Sequence, residues 1–159
     1  TRTVQFKTET SADTRALGER LAKRLLPGDV LLLSGELGAG KSELARGIAR
    51  GLGITGPIPS PTFTLLNIYD TGRIPLHHFD WYRAEDPEEL LAAGLEEYIR
   101  GGWVTLIEWH ERAPGLCPEK HLLVEIKAAD DNARLISLIP QGGFRQLDMG
   151  EDSFDHSGS

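Results

Sequence analysis

The eight residues Gly35-Glu36-Leu37-Gly38-Ala39-Gly40-Lys41-Ser42 constrain this chain more than any other segment, because their glycine, lysine and serine positions have the spacing of a phosphate-binding loop. Immediately before them stand Val30, Leu31, Leu32 and Leu33, a continuous apolar run that reads as a strand buried on both faces of a sheet. Immediately after them Leu44, Ile48 and Leu52 recur at helical spacing, and Gly51 and Gly53 end the pattern. A strand that passes through a glycine-rich loop into a helix is a unit for holding phosphate. Its glycines let backbone N–H groups wrap the anion, and the helix directs its positive end at it. Lys41 then neutralises β- and γ-phosphate charge, and Ser42 supplies a hydroxyl to magnesium. The expected fold is α/β and P-loop NTPase-like, a central mixed sheet flanked by helices in a single domain.

The remaining segments fit around that unit. Residues 4–7 read as a strand, and Thr10 and Ser11 read as caps of a helix that carries Leu17, Leu21 and Leu25 on one face. Ser11 is also counted with Gly35, Leu37, Gly38, Ala39, Gly40, Lys41 and Ser42 among the nucleotide-binding candidates. Residues 62–69 and 74–79 are β-rich and separated by Asp70-Thr71-Gly72-Arg73, which predicts an antiparallel hairpin. Asp86-Pro87-Glu88-Glu89 starts a further helix, with aspartate as cap and proline at the first helical position. The apolar run from Trp103 to Ile107 ends in Glu108, and two more strands are expected over residues 122–127 and 134–139. The domain is expected to span residues 1–143. Residues 144–159 are expected to form a disordered acidic tail, with almost no apolar content from Gly150 onward.

Composition excludes several classes. The chain has 159 residues, 40% of them apolar, which suffices for a core without disulfide or metal staples. Cys117 is the sole cysteine, and no segment has the pattern of a signal peptide or a membrane span, so the expected compartment is the cytoplasm and no membrane contact is expected. The formal net charge of −7 opposes autonomous binding to nucleic acid, and any link to RNA is expected to run through a partner. The basic residues Arg15, Arg20, Lys23 and Arg24 read as a solvated helix face.

Magnesium on a nucleotide also takes a carboxylate, usually at the end of a buried strand beside the loop. Glu108 fits that description, and Asp80 is a second candidate that alternates with His78 and Leu76 on one face of its strand. Two carboxylates allow two roles: one holds the metal, and the other orients or deprotonates the attacking water. On the sequence alone either residue takes either role. Thr62, held extended in Ser60-Pro61-Thr62-Phe63, is positioned to present its hydroxyl to a γ-phosphate as part of a switch loop. His77 and His78 read as ordinary strand histidines. Asn67-Ile68-Tyr69-Asp70 lacks the lysine of a guanine-reading motif, which favours ATP. Trp109 follows Glu108, and strand alternation places its indole on the opposite face, where it senses repacking rather than phosphate.

These motifs together resemble TsaE, the bacterial ATPase family of the machinery that puts threonylcarbamoyl on adenosine in tRNA. The resemblance covers about residues 17–111 and is carried by Leu17-Gly18-Glu19-Arg20, the phosphate loop, Ser60-Pro61-Thr62-Phe63, His78-Phe79-Asp80-Trp81-Tyr82-Arg83, Asp86-Pro87-Glu88-Glu89-Leu90 and Ile107-Glu108-Trp109. It implies ATP and Mg2+ as cofactors, Ser42 and Glu108 as magnesium ligands, Lys41, Asp80 and Thr62 as catalytic residues, and TsaD and TsaB as partner subunits. The family commonly has threonine where Ser42 and Glu43 stand, leucine at Trp81 and proline at His110. Serine keeps the hydroxyl, whereas Glu43 adds negative charge near the helix start.

Two rivals share the loop. A small-molecule kinase needs an acceptor pocket and an arginine-bearing lid, yet the 13 residues between Glu108 and Leu122 hold one arginine, Arg112. A nucleotide-gated binding protein without significant turnover uses ATP only to set the shape of the loop near residues 57–64.

Overall fold

Strand β2 (Val30–Ser34) sends alternate side chains into two separate apolar clusters. Leu31 and Leu33 join one with α1 (Ser11–Ala22) and α2 (Lys41–Gly51), while Val30 and Leu32 join the other with Leu90 of α3 (Pro87–Ala92). This computed structural model describes residues 2–36, 38–56, 65–82, 84, 86–130, 132–150 and 154–155. The remaining strands are β1 (Val4–Thr8), β3 (Leu66–Tyr69), β4 (Leu76–Asp80), β5 (Val104–Glu108), β6 (His121–Ala128), β7 (Arg134–Gln141) and the two-residue β8 (Phe154–Asp155). Sheet order is β3-β4-β5-β2-β6-β7-β1-β8. The inner four, β4-β5-β2-β6, are parallel, and the pairs β3–β4, β6–β7, β7–β1 and β1–β8 are antiparallel. The expected single-domain mixed sheet between helices is therefore what the chain adopts.

Parallel pairing is what builds the site, because it brings the C-terminal ends of neighbouring strands to one edge of the sheet. Glu108 pairs in register with Leu33 on one side and Asp80 on the other. Glu108 thus stands beside the strand that feeds the phosphate loop, and Asp80 stands one strand further out. Phe79 and Trp81, wholly buried, pack edge to face at 5.8 Å on the α3 side and anchor this edge from below. Truncating Phe79 to alanine costs about 3–5 kcal/mol.

Helix α1 begins with Thr10 as N-cap, its hydroxyl accepting from the amide of Asp13. It lies against α2 in the same direction, with Arg15 facing Gly47 and Ala22 facing Gly51, so Ser11 stands at the same end of the molecule as Lys41. The approach is close enough that a Cβ on Gly47 would lie 2.1 Å from the carbonyl oxygen of Arg15. The basic face of α1 is not simply solvated. Arg15 pairs with Glu43, Arg20 donates to the carbonyl of Met149, and Arg24 donates to that of Asp148.

The expected boundary at residue 143 is corrected by the burial that follows it. Phe144, Leu147 and Met149 are buried in the α1–α2 cluster. Arg145 grips Asp29 with two hydrogen bonds of 2.7 Å and donates to the carbonyl of Arg24. Three apolar residues spaced irregularly in a polar stretch match neither helical nor strand periodicity, so only the receiving groove reveals their role. The hairpin β3–β4 forms as expected, although its first strand starts at Leu66, and residues 62–64 lie outside the described residues. Among the described residues no helix is long and apolar enough to cross a membrane.

Candidate functional site

The phosphate loop leaves β2 at Ser34 and enters α2 at Lys41. Gly38 and Gly40 have φ of 82° and 106°, backbone conformations that side chains with a Cβ rarely adopt. Gly35 is needed for a different reason: a Cβ there would sit 2.8 Å from the carbonyl oxygen of Ile126 on the neighbouring strand. Gly40 is the N-cap of α2 and, having no side chain, makes no cap hydrogen bond to its first turn. Ser42 follows Lys41 in that first turn and is exposed. Leu37, a nucleotide-binding candidate, and the Ser60-Pro61-Thr62-Phe63 motif with its catalytic candidate Thr62 lie outside the described residues. Glu43, the negative charge near the helix start, is bridged between Arg15 at 2.5 Å and Arg46 at 2.7 Å.

Lys41, Asp80 and Glu108 meet at this edge. Lys41 is only 7% exposed, and its ammonium lies over the indole of Trp109, 4.2 Å from the ring centroid. The indole packs against the α3-side cluster, on the face that alternation gives it. The strand ends at Glu108, however, and Trp109 takes the left-handed region at φ 59°. Its ring also meets the Lys41 ammonium, which alternation did not predict. Tyr82 packs against the same indole at 4.7 Å. The chain after β4 is tied to the end of β5 by the amide of Trp81 donating to the carbonyl of Glu108 at 3.1 Å.

The two carboxylates sit in different environments. Glu108 is 6% exposed and accepts a 2.5 Å hydrogen bond from Nε2–H of His78, itself 2% exposed, on the adjacent strand. Asp80 is less buried and accepts from the amide of Tyr82 at 2.9 Å. Burial pushes the Asp80 carboxyl above its ordinary range; Glu108 adds to that, while the Tyr82 amide, His78 and Lys41 oppose it. Two acidic groups held together in this way suit a site that receives a cation.

His78, expected to be an ordinary strand histidine, is the hydrogen-bond partner of Glu108. The available signal was its two-residue spacing from Asp80, which puts both on one face. His77 points the other way, donating from Nδ1 to the carbonyl of Tyr98 and stacking on Trp103 at 4.1 Å, and burial lowers its pKa. Arg134 was also missed. From β7 it donates to the loop carbonyls of Ala39 at 2.7 Å and Gly38 at 3.3 Å, across a sequence distance that hides the contact. Against the loop opens a pocket of about 560 Å3, lined by Ser34, Gly35, Gly38, Ala39, Trp109 and Ile126 among others. Small-molecule sites run to about 300–1,000 Å3.

Comparison with known proteins extends this picture. The family described as "Threonylcarbamoyl adenosine biosynthesis protein TsaE" matches residues 8–136. A protein of Bacillus subtilis (strain 168) named tRNA threonylcarbamoyladenosine biosynthesis protein TsaE is 42% identical over 139 residues, 87% of each chain. Proteins of the same name are 45% identical in Nostoc sp., over 80% of each chain, and 45% identical in Haemophilus influenzae, over 70% of each. The crystal structure of Bacillus subtilis YdiB superposes with a TM-score of 0.77 at 36% identity, covering 89% of this chain and 87% of that one.

Proposed function

The chain belongs to the TsaE family of tRNA threonylcarbamoyladenosine biosynthesis proteins, and on that premise we propose that it is the Mg2+-dependent ATP-hydrolysing component of this modification. The observation that carries the reading is the convergence of buried Lys41 and Glu108 with half-buried Asp80 beside a loop whose Gly38 and Gly40 hold positive φ. Such an arrangement fits a chain of phosphates with a divalent cation. Lys41 contacts the β- and γ-phosphates, and the loop amides of Gly38 and Gly40 wrap them. The hydroxyl of Ser42 and the carboxylate of Glu108 would hold magnesium, which when bound neutralises charge across the same phosphates. Asp80 orients or deprotonates the attacking water. Its raised pKa makes it a better proton acceptor than an aspartate in water, and its partial exposure leaves it open to solvent.

Ser11, at the loop end of α1, and Leu37 complete the nucleotide contacts in this reading, and Thr62 belongs to a loop that responds to the γ-phosphate. TsaD and TsaB are the partner subunits, and tRNA is reached through them because a net charge of −7 repels a polyanion. The test is phosphate release from ATP by the chain alone and with TsaD and TsaB, with Lys41→Ala alongside. Expected are magnesium-dependent release, stimulation by the partners, and loss of turnover in the variant. Near-normal turnover in Lys41→Ala sinks the phosphate-loop reading. Turnover that strictly requires a small acceptor replaces it with a kinase, and nucleotide binding without turnover in every mixture reduces it to a switch.

A further inference from the structure

We propose that Arg134 is a positioning residue for nucleotide binding, holding the phosphate loop in its anion-receiving shape before any ligand arrives. The inference rests on reading residues 35–42 as a phosphate site. A loop that turns its amides inward on an anion must turn its carbonyls outward, and those carbonyls then need donors of their own. Glycines at positions 35, 38 and 40 make this segment costly to order, because glycine loses the most backbone freedom on folding. Something outside the loop has to offset that cost, or the ligand must do so at the expense of its affinity.

Arg134 is placed to do this. Its Nε–H donates to the carbonyl of Ala39 at 2.7 Å and its Nη2 to that of Gly38 at 3.3 Å, so one rigid guanidinium spans two successive loop carbonyls. The third arm, Nη1, donates to the carbonyl of Ala133 at 2.9 Å and fixes the side chain to its own strand. That strand is firmly registered, with Arg134 opposite Thr8 on one side and Ala128 on the other. The loop's own contacts hold other points: the amide of Ala39 donates to the carbonyl of Glu36, and the amide of Leu44 to that of Gly40. Arg134 thus ties the loop to the antiparallel part of the sheet, whereas Lys41 and the carboxylates belong to the parallel part. A Cβ built on Gly40 would lie 3.8 Å from Nε of Arg134, so the guanidinium also brings a fixed positive charge to the outer side of the cradle.

Charge and geometry are separable by substitution. Arg134→Lys keeps the charge but cannot span two carbonyls with one planar fork, and Arg134→Gln keeps donors but loses the charge. Calorimetric titration of each full-length variant with ADP, with a non-hydrolysable ATP analogue and with inorganic pyrophosphate is the measurement, all with magnesium. Thermal midpoint and amide hydrogen exchange at Gly38, Ala39 and Gly40 are read without ligand. Expected is a loss of about ten-fold or more in affinity in both variants, of similar size for all three ligands because they share the loop. Exchange at the three loop amides should quicken while the ligand-free midpoint moves by no more than about 2 °C. Wild-type affinity in Arg134→Lys overturns the positioning role, since charge alone then suffices. Unchanged loop exchange in both variants overturns it as well, and so does a midpoint drop that accounts for the lost affinity. No binding of any of the three ligands by the wild-type chain is a different result: it sinks the phosphate-site reading itself.

Discussion

The ammonium of Lys41 rests on the face of the Trp109 indole, 4.2 Å from its centroid. A cation on an aromatic face gains about 0.5–2 kcal/mol, more when desolvated, and Lys41 is 7% exposed. A phosphate chain seated in the loop competes for the same ammonium. On the proposed function, Trp109 is therefore a direct neighbour of the bound phosphates.

From this contact follows an optical prediction. ATP with magnesium should shift the intrinsic fluorescence of the chain, and Trp109→Phe should remove most of the shift while binding stays measurable by calorimetry. Trp81 is wholly buried and Trp103 stacks on His77 away from the loop, so neither should report. A shift that persists undiminished in Trp109→Phe assigns the signal elsewhere and refutes the prediction.

The two carboxylates should separate on substitution. Glu108→Gln is expected to weaken magnesium-dependent nucleotide binding, and Asp80→Asn to preserve binding but slow hydrolysis. Binding isotherms with and without magnesium, together with turnover at saturating ATP, distinguish the two. Swapped phenotypes exchange the roles.

His78 holds Glu108 through a single buried hydrogen bond of 2.5 Å. His78→Ala leaves a buried carboxylate without that donor and should cost about 2–3 kcal/mol of folding stability. His78→Gln, whose amide is able to donate to the same oxygen, should recover part of the loss. Chemical denaturation of the ligand-free chain measures both. Equal stability of His78→Ala and the parent chain would show that the bond carries no net stabilisation.

The raised Asp80 pKa makes a pH-dependent prediction for the ligand-free protein. For an acid with a higher pKa folded than unfolded, the folded state binds more protons between the two values. Ionised Asp80 therefore weighs against folding fully above its folded pKa, and this burden vanishes below the ordinary aspartate range. Asp80→Asn removes it while keeping an oxygen for the Tyr82 amide. The thermal midpoint of the variant should exceed that of the parent at pH 7–8, and the difference should shrink toward zero as pH falls below about 4. A gain that grows on acidification contradicts the sign.

What the sequence alone determined is local in origin. Gly35 to Ser42 announced the loop because strand, glycines, lysine and helix are contiguous, and Asp86-Pro87 announced a cap because both residues lie in one turn. Period-2 alternation also put His78 and Asp80 on one face. What it could not contain is any relation set by the order of strands in the sheet. Glu108 meets His78 and Asp80 only because β4 and β5 pair in parallel register, and Arg134 reaches Ala39 from 95 residues away. That the Trp109 ring also meets Lys41 depends on the strand stopping at Glu108 and on one residue taking a positive φ, which no side-chain pattern announces. Phe144, Leu147 and Met149 looked like tail because burial of an irregular segment depends on the groove that receives it. Hydrogen bonds along helices and turns are written in neighbouring residues. Packing between distant segments is decided only when the whole sheet closes on its core.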